Sequence, residues 1–455
     1  MTKPEERVLR ARPVFTEGST LRHVLVMTAS GSAGIIALFV VDLLSLLYVS
    51  WLGDPAKTAG VGLATQVLFV AMSVNIGLSI GVTAVVARAI GAGRRVDARR
   101  LASSGLVHAT VVGALVSIPI FVWRDAVLEA FGAAGEARAI ADSFLAITAP
   151  ANALMALGMA LQGLLRALGD ARRSMYVTLF GALATAALDP LLIFGLNLGP
   201  DGAAISTVVS RFVFCAVGFW AVVRVHQALR APSATSVRAD IAPVLAIAGP
   251  AILTNLATPI ANSYAMRVFA GFGEPIVAAI AIVDRVTPVA FGVLFALTGA
   301  IGPILAQNYG ARRLDRVLRT LSECFALSAG YVAFVWLLLW LLGPAIADLF
   351  HAVGRTRDMV LFYCNFGVMA WAFLAGLFVA NTAFNNLGFA FLSTFFNWGR
   401  TLLGVIPFVT LGGRWYGPEG AFGGIVAGAA LFGTAAAITS FIVVARLRVS
   451  AERGP

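Results

Sequence analysis

The chain has 455 residues, of which 59% are hydrophobic and only 12% charged. An ordinary soluble domain carries roughly 25% charged residues, so a water-soluble globule is excluded. The net charge of +11 invites a nucleic-acid reading, which the positions of the basic residues reject below.

A polar lead occupies residues 1–20. Apolar runs long enough to cross a bilayer, which takes ~20 residues, follow at about 22–52, 58–88, 101–123, 137–165, 175–197 and 203–225. Residues 226–240 (HQALRAPSATSVRAD) are polar and read as a linker. Six more runs lie at about 241–271, 276–305, 317–343, 358–386, 389–412 and 418–446, and 447–455 is a short tail. The expectation is an all-α integral membrane protein with twelve transmembrane helices, six in 21–225 and six in 241–446. The alternating segments of ~10 residues that mark a β-barrel are missing. Prolines fall inside several runs, among them Pro119, Pro150, Pro190, Pro288, Pro303 and Pro407. Each frees a backbone carbonyl and favours a kink. Pro250 and Pro259 share one run and predict a soft segment between them.

With the N-terminus assigned to the cytoplasm, 22 Lys and Arg fall in inside segments and six in outside segments. That is the positive-inside bias, and it puts both termini in the cytoplasm. The basic charge therefore reports topology in a multi-pass plasma (inner) membrane protein, not nucleic-acid binding. Cys215, Cys324 and Cys364 are scattered and read as buried apolar residues. The four histidines are equally dispersed, so no metal centre or cofactor is expected. No GxxxxGK[ST] stretch exists, which argues against ATP-driven pumping.

The two halves carry the same punctuation. Leu52-Gly53-Asp54-Pro55 returns as Phe272-Gly273-Glu274-Pro275, and the ARAIGAGRR beginning at Ala87 returns as the AQNYGARR beginning at Ala306. Leu168-Gly169 returns as Leu387-Gly388, and Gly199-Pro200-Asp201-Gly202-Ala203 as Gly417-Pro418-Glu419-Gly420-Ala421. The offset stays between 218 and 220 residues. Six spans is an even number, so the repeats are parallel, and in such transporters the substrate site lies between them.

Three acids lie well inside spans: Asp42, Asp189 and Asp284. A carboxylate at the bilayer centre costs at least ~2.5–3.5 kcal/mol on insertion scales, so such residues face the protein interior and serve function by default. The bland alternative is a structural partner for Arg211, Arg285 or Arg400, which also lie in spans. Ser45 follows Asp42 by three residues and Thr185 precedes Asp189 by four, which places each on its acid's helical face. Thr207 enters from the outside on the sixth span and reaches a similar depth. Asp42, Ser45, Thr185, Asp189 and Thr207 together would make a hard oxygen site for a proton or a small monovalent cation. The second half is amide-rich instead. Asn255, Asn262, Asn381 and Asn385, with Asp284, are candidates for lining a substrate cavity, although asparagines also glue helices together.

These residues resemble the MATE family, the multidrug and toxic compound extrusion transporters, over roughly 21–446. The carriers of the resemblance are VDLLSLLYVSWLG, GVTAVVARAIGAGRRVDARR, LLRALGDARRSMYVTL, LDPLLIFG, GPDGAAISTVVS and FALTGAIGPILAQNYGARRLDR. It implies two six-helix lobes around a central cavity, and efflux of cationic amphipathic drugs in exchange for H⁺ or Na⁺. Asp189 and Thr207 match ion-coupling positions of the family's first lobe. Two places depart from its pattern. Thr185 stands where the family has asparagine, and Asp42 lies one turn before the usual acid position, which Ser45 fills.

An ion-coupled efflux antiporter is therefore the leading reading. Its partners would be small-molecule substrates and the lipid bilayer, no cofactor beyond the coupling ion H⁺ or Na⁺, no metal beyond a Na⁺ at Asp42/Asp189, and no second subunit. The alternative is a flippase for lipids or lipid-linked precursors, which would use intramembrane cations to hold a head-group phosphate. An enzyme is disfavoured, because no paired acid–base, metal-ligand or nucleophile arrangement appears.

Overall fold

The computed structural model describes residues 13–452, so residues 1–12 of the lead and 453–455 of the tail lie outside the described residues. Among the described residues there are helices and turns but no strand. Helices α1 (Thr20–Ser50), α2 (Pro55–Gly91) and α3 (Arg95–Val122) come first, then α4 (Arg124–Ala130), α5 (Gly135–Thr148), α6 (Asn152–Ala167), α7 (Ala171–Pro190) and α8 (Gly199–Trp220). The short α9 (Ala234–Ala239) lies in the linker. The second half holds α10 (Ile241–Ala270), α11 (Glu274–Gly310), α12 (Leu314–Leu349), α13 (Gly354–Asn365), α14 (Ala370–Leu387), α15 (Ala390–Gly399) and α16 (Ile406–Glu452). Three π turns interrupt this order, at Leu191–Gly195, Ala221–Val225 and Arg400–Val405.

Ten helical stretches among the described residues are long and apolar enough to span a membrane. α5 and α6, bent by 55° at their junction, make an eleventh. The 63-residue stretch Ala390–Glu452 counts twice, because Tyr416 and Gly417 leave helical geometry in its middle. The total is twelve, with limits within a few residues of the apolar runs. Two runs are each built from two helices: 137–165 from α5 and α6, broken where Pro150 removes a backbone donor, and 358–386 from α13 and α14. α10, by contrast, continues through both Pro250 and Pro259.

The repeated punctuation has a common backbone meaning. Gly53 and Gly273 have φ of 73° and 99°, Gly169 and Gly388 of 81° and 99°, Gly199 and Gly417 of 55° and 66°. Each pair ends or starts a helix in the left-handed region, which glycine enters without a Cβ penalty. Asp54 then caps α2 by accepting from the Ala56 N–H at 2.9 Å, with Pro55 at the first helical position. α2 and α11 end alike. The Arg94 N–H donates to the Ala89 carbonyl at 2.9 Å, and the Arg313 N–H to the Asn308 carbonyl at 2.8 Å.

The chain packs as two units. Among the described residues, 13–17 and 29–252 form one; 18–28 and 253–452 form the other. In the first, α2 packs against α3, α5 and α6, while α7 packs against α8. In the second, α11 packs against α12, α13 and α14, and α14 against α16. α2 and α11, equivalent in the repeat, are the most buried spans. Cys215, Cys324 and Cys364 are free and buried, as expected of apolar cysteines.

The last two spans of the second unit touch backbone to backbone. A Cβ on Gly420 would meet the backbone of Gly412, one on Gly424 that of Phe408, and one on Gly428 that of Gly404. Each step of four residues up one arm matches a step of four down the other, so a glycine ridge sets an antiparallel register. Small residues at this spacing let membrane helices approach closely.

Candidate functional site

Asp189 ends α7 one residue before Pro190 and the π turn Leu191–Gly195. Its carboxylate is only 1% exposed. α8 is held against this turn because Gly202 has no side chain; a Cβ there would lie 2.8 Å from the Leu192 carbonyl carbon. That contact brings Ser206 to the acid. Ser206 Oγ donates to Asp189 Oδ1, and Ser45 Oγ of α1 donates to Asp189 Oδ2. The Ser206 hydroxyl also lies 3.0 Å from the Ala203 carbonyl, so its single proton has two acceptors, of which the ionised one binds more strongly.

Asp42 is exposed and close enough to Asp189 for the two charges to interact. Ser45 thus meets Asp189 directly, with Asp42 within electrostatic reach of the same acid. Among the described residues, neither the Thr185 nor the Thr207 hydroxyl bonds to Asp189. Thr185 Oγ1 bonds back to the Gly181 carbonyl at 3.4 Å, and Thr207 Oγ1 to the Ala203 carbonyl at 2.9 Å. Ser206, the neighbour of Thr207 in sequence, occupies the place expected of Thr207.

Among the described residues, no ion pair within 4.0 Å involves Asp42, Asp189, Asp284, Arg211, Arg285 or Arg400. The three acids are therefore not structural partners of the intramembrane arginines. Arg211 donates from Nη1 to the Thr148 carbonyl at 2.7 Å, at the C-terminal end of α5. An unexpected buried amide pair also sits in the first unit. Asn75 donates to Asn152 Oδ1 at 2.8 Å, and Asn152 donates to the Gly113 carbonyl at 3.0 Å. The polarity of Asn75 inside an apolar run was the signal that could have found it.

The candidates of the second unit divide. Asn381 and Asn385 are buried one turn apart on α14. Asn385 accepts from Ser393 Oγ at 2.9 Å, which is helix gluing, whereas the buried Oδ1 of Asn381 has no hydrogen-bond partner. Asn255 is half-buried, and Asn262 and Asp284 are exposed. Asp284 lies within electrostatic reach of Tyr363. Further along α11, Phe291 stacks on Trp371 at a centroid distance of 4.4 Å, and Phe295 meets the same indole edge-on at 6.1 Å. Phe291 and Phe295 follow Asp284 by seven and eleven residues, which puts acid and aromatics on one helical face. A carboxylate with aromatic rings suits an amphipathic organic cation.

Outside the spans, the linker is fastened to its own unit. Arg99 Nη2 donates to the Leu229 carbonyl and Ser103 Oγ to the Arg230 carbonyl, both at 2.7 Å. Arg100 pairs with buried Asp240 at 3.0 Å. His226 Nε2 meets Asp170 Oδ2 at 2.7 Å, and Arg173 Nη1 meets the same oxygen at 2.6 Å. Burial pushes the Asp170 carboxyl up. The opposing pull of the His226 hydrogen bond, the Arg173 backbone N–H and the Arg173 guanidinium is stronger, and together they hold it at about 2 rather than 3.8. A carboxyl depressed on folding stabilises the fold above its unfolded value and loses that contribution as pH falls through its folded value. Asp170→Asn is therefore expected to lower the thermal midpoint at pH 7, with the gap to wild type closing as pH drops from about 3.8 towards 2. Melting curves of the purified protein across that range check it; a constant gap would contradict it.

Comparison with known proteins adds to this geometry. The model of the MatE family matches residues 32–191 and 250–410, one match in each half. The chain is 26% identical over 408 residues to the FAD transporter of Shewanella oneidensis, covering 88% of this chain and 89% of that one. It is 22% identical over 356 residues to the multidrug export protein MepA of Staphylococcus aureus, covering 77% and 75%. It superposes with a TM-score of 0.90, at 21% identity and over 97% of its length and 100% of the other chain, on an outward-facing multidrug resistance MATE family transporter of the MOP superfamily.

Proposed function

The chain belongs to the MatE family, and from that premise we propose that it is a secondary active antiporter exporting drug-like, cationic amphipathic compounds in exchange for H⁺ or Na⁺ by alternating access. It is a transporter and not an enzyme. The observation that carries the coupling is Asp189, a buried carboxylate held by two serine hydroxyls, beside Asp42 and without a basic partner. Two acids this close in an apolar span favour capture of a small cation that reduces their charge. Such a cation biases the conformational equilibrium only through unequal affinity for the inward and outward states, and the exported compound must bias it the other way. Asp284 with the Phe291–Trp371–Phe295 cluster is the candidate site for a cationic substrate.

A second substrate reading rests on one observation, the match along most of the chain to a protein named as an FAD transporter. Under it, the exported compound carries phosphate instead of a positive charge. Inverted vesicles test the main reading. Efflux of a cationic dye should appear when either a pH gradient or a Na⁺ gradient is imposed, and the effective gradient names the ion. Response to neither gradient would refute antiport and favour the lipid-flippase alternative.

The arginine bias also supports placement in the plasma (inner) membrane with both termini in the cytoplasm. A cysteine placed within 226–240 is then labelled from the cytoplasmic side only, and one beside Gly199 from the outside only. The reverse pattern would overturn this topology.

A further inference from the structure

Arg400 opens the π turn that follows α15 and is 5% exposed. A guanidinium carries five N–H donors. Here a single hydrogen bond is made, from Nη2 to Thr258 Oγ1 of α10 at 3.4 Å, which is long. Its Nε is buried and has no hydrogen-bond partner. Its neighbours in the chain bond to α10 as well. Trp398 Nε1 donates to the Leu253 carbonyl at 3.0 Å, and Thr401 Oγ1 to the Ala257 carbonyl at 3.1 Å. Thr254 lies 3.1 Å from Ser393 Oγ and 3.3 Å from Thr394 Oγ1. Among the described residues, no carboxylate lies within ion-pair range.

The half-buried intramembrane Arg211 ends on a helix-terminal carbonyl at 2.7 Å. Arg400 has no such resolution, although a buried charge without a counter-charge is strongly unfavourable. The π turn itself adds a residue to the helix, a feature concentrated at functional sites. Thr258 accepts from Arg400 through a lone pair, so its own proton remains to be donated. Guanidinium and hydroxyl side by side then offer convergent donors of the kind that bind phosphate oxygens.

We propose that Arg400, assisted by Thr258, is the anchor for a phosphate oxyanion in the second unit. The phosphate comes from a transported phosphorylated compound or from a lipid headgroup; both present the same chemistry. The inference depends on the transporter reading only for the source of the anion, not for the site.

The test uses full-length protein in phosphatidylcholine nanodiscs. FMN and riboflavin differ by one phosphate, and their binding is read by quenching of flavin fluorescence. Wild type should bind FMN at least about tenfold more tightly than riboflavin, as expected for one charge-assisted contact worth about 1.4 kcal/mol. Arg400→Gln should erase that preference, and Arg400→Lys should keep part of it. A second arm measures phosphatidylglycerol retained through purification from mixed lipid. Retention by wild type but not by Arg400→Gln, without an FMN preference, assigns the site to a lipid headgroup. Size-exclusion elution and melting curves establish that each variant is folded. If Arg400→Gln does not fold, pyrophosphate competition against FMN on wild type decides in its place. Equal binding of FMN and riboflavin by wild type, with no Arg400-dependent lipid retention, overturns the proposal. A failure of gradient-driven dye efflux would refute the antiport reading and leave these binding results standing.

Discussion

Asp189→Asn reduces gradient-driven efflux to the level of empty vesicles while the protein still folds and still binds substrate. The amide has the shape of the carboxylate and is cheaper to bury than the charge. Its oxygen can still accept from one serine. Its NH₂ cannot accept from the other, and Ser206 has a ready alternative in the Ala203 carbonyl at 3.0 Å. What disappears is the group that takes up the coupling cation. Asp42→Asn should fail at the same step, because the two charges act on one another. The double variant should then be no worse than either single one. The serine geometry adds an internal control: Ser206→Ala should impair efflux clearly more than Thr207→Ala, since only Ser206 reaches the acid. Efflux assays in vesicles at matched expression read all of these. Full efflux by Asp189→Asn would remove that residue from coupling, and multiplying losses in the double variant would mean that the two acids work independently.

Gly428→Leu prevents accumulation of folded protein. A Cβ at this position would lie 2.8 Å from the Gly404 carbonyl carbon and 3.0 Å from its Cα. Those are backbone atoms, so no side-chain rotation relieves the clash. Forcing extra atoms into a packed interior costs about 1–3 kcal/mol where side chains can adjust, and separating two backbones belongs at or above the top of that range. Gly423→Leu is the control, because no atom lies within 4 Å of its added Cβ. Fluorescence-detected size exclusion of tagged variants distinguishes them. Comparable monodisperse peaks would show that the ridge does not set the register.

The spans were legible because each is a local property: an apolar run long enough to cross a bilayer, bounded by glycine, proline or arginine. The Ser45–Asp189 contact was nearly legible too, since helical spacing puts Ser45 on the face of Asp42 and family resemblance points to Asp189. The choice between Ser206 and Thr207 was not. Adjacent residues on a helix point about 100° apart, and depth along the axis does not say which way α8 is rotated. That rotation comes from Gly202 against the Leu192 backbone, a tertiary contact. The linker shows the same limit. Its polarity marked it as a linker but not where it lies, and Arg99, Arg100 and Ser103 fasten it from residues well over a hundred positions away. The break at Pro150 was visible as a proline, but its 55° bend was not.

The paired bends at the helix ends bear on what the two halves have in common. At the end of α2 the left-handed position is Gly93, with φ of 73°, and at the matching end of α11 it is Arg312, with φ of 58°. Glycine and arginine share nothing as side chains, and a comparison by letters scores them as unrelated. The chain nevertheless turns the same corner in both places. What the repeat has conserved here is a torsion angle, so the kinship of the halves runs deeper in their conformation than in their spelling.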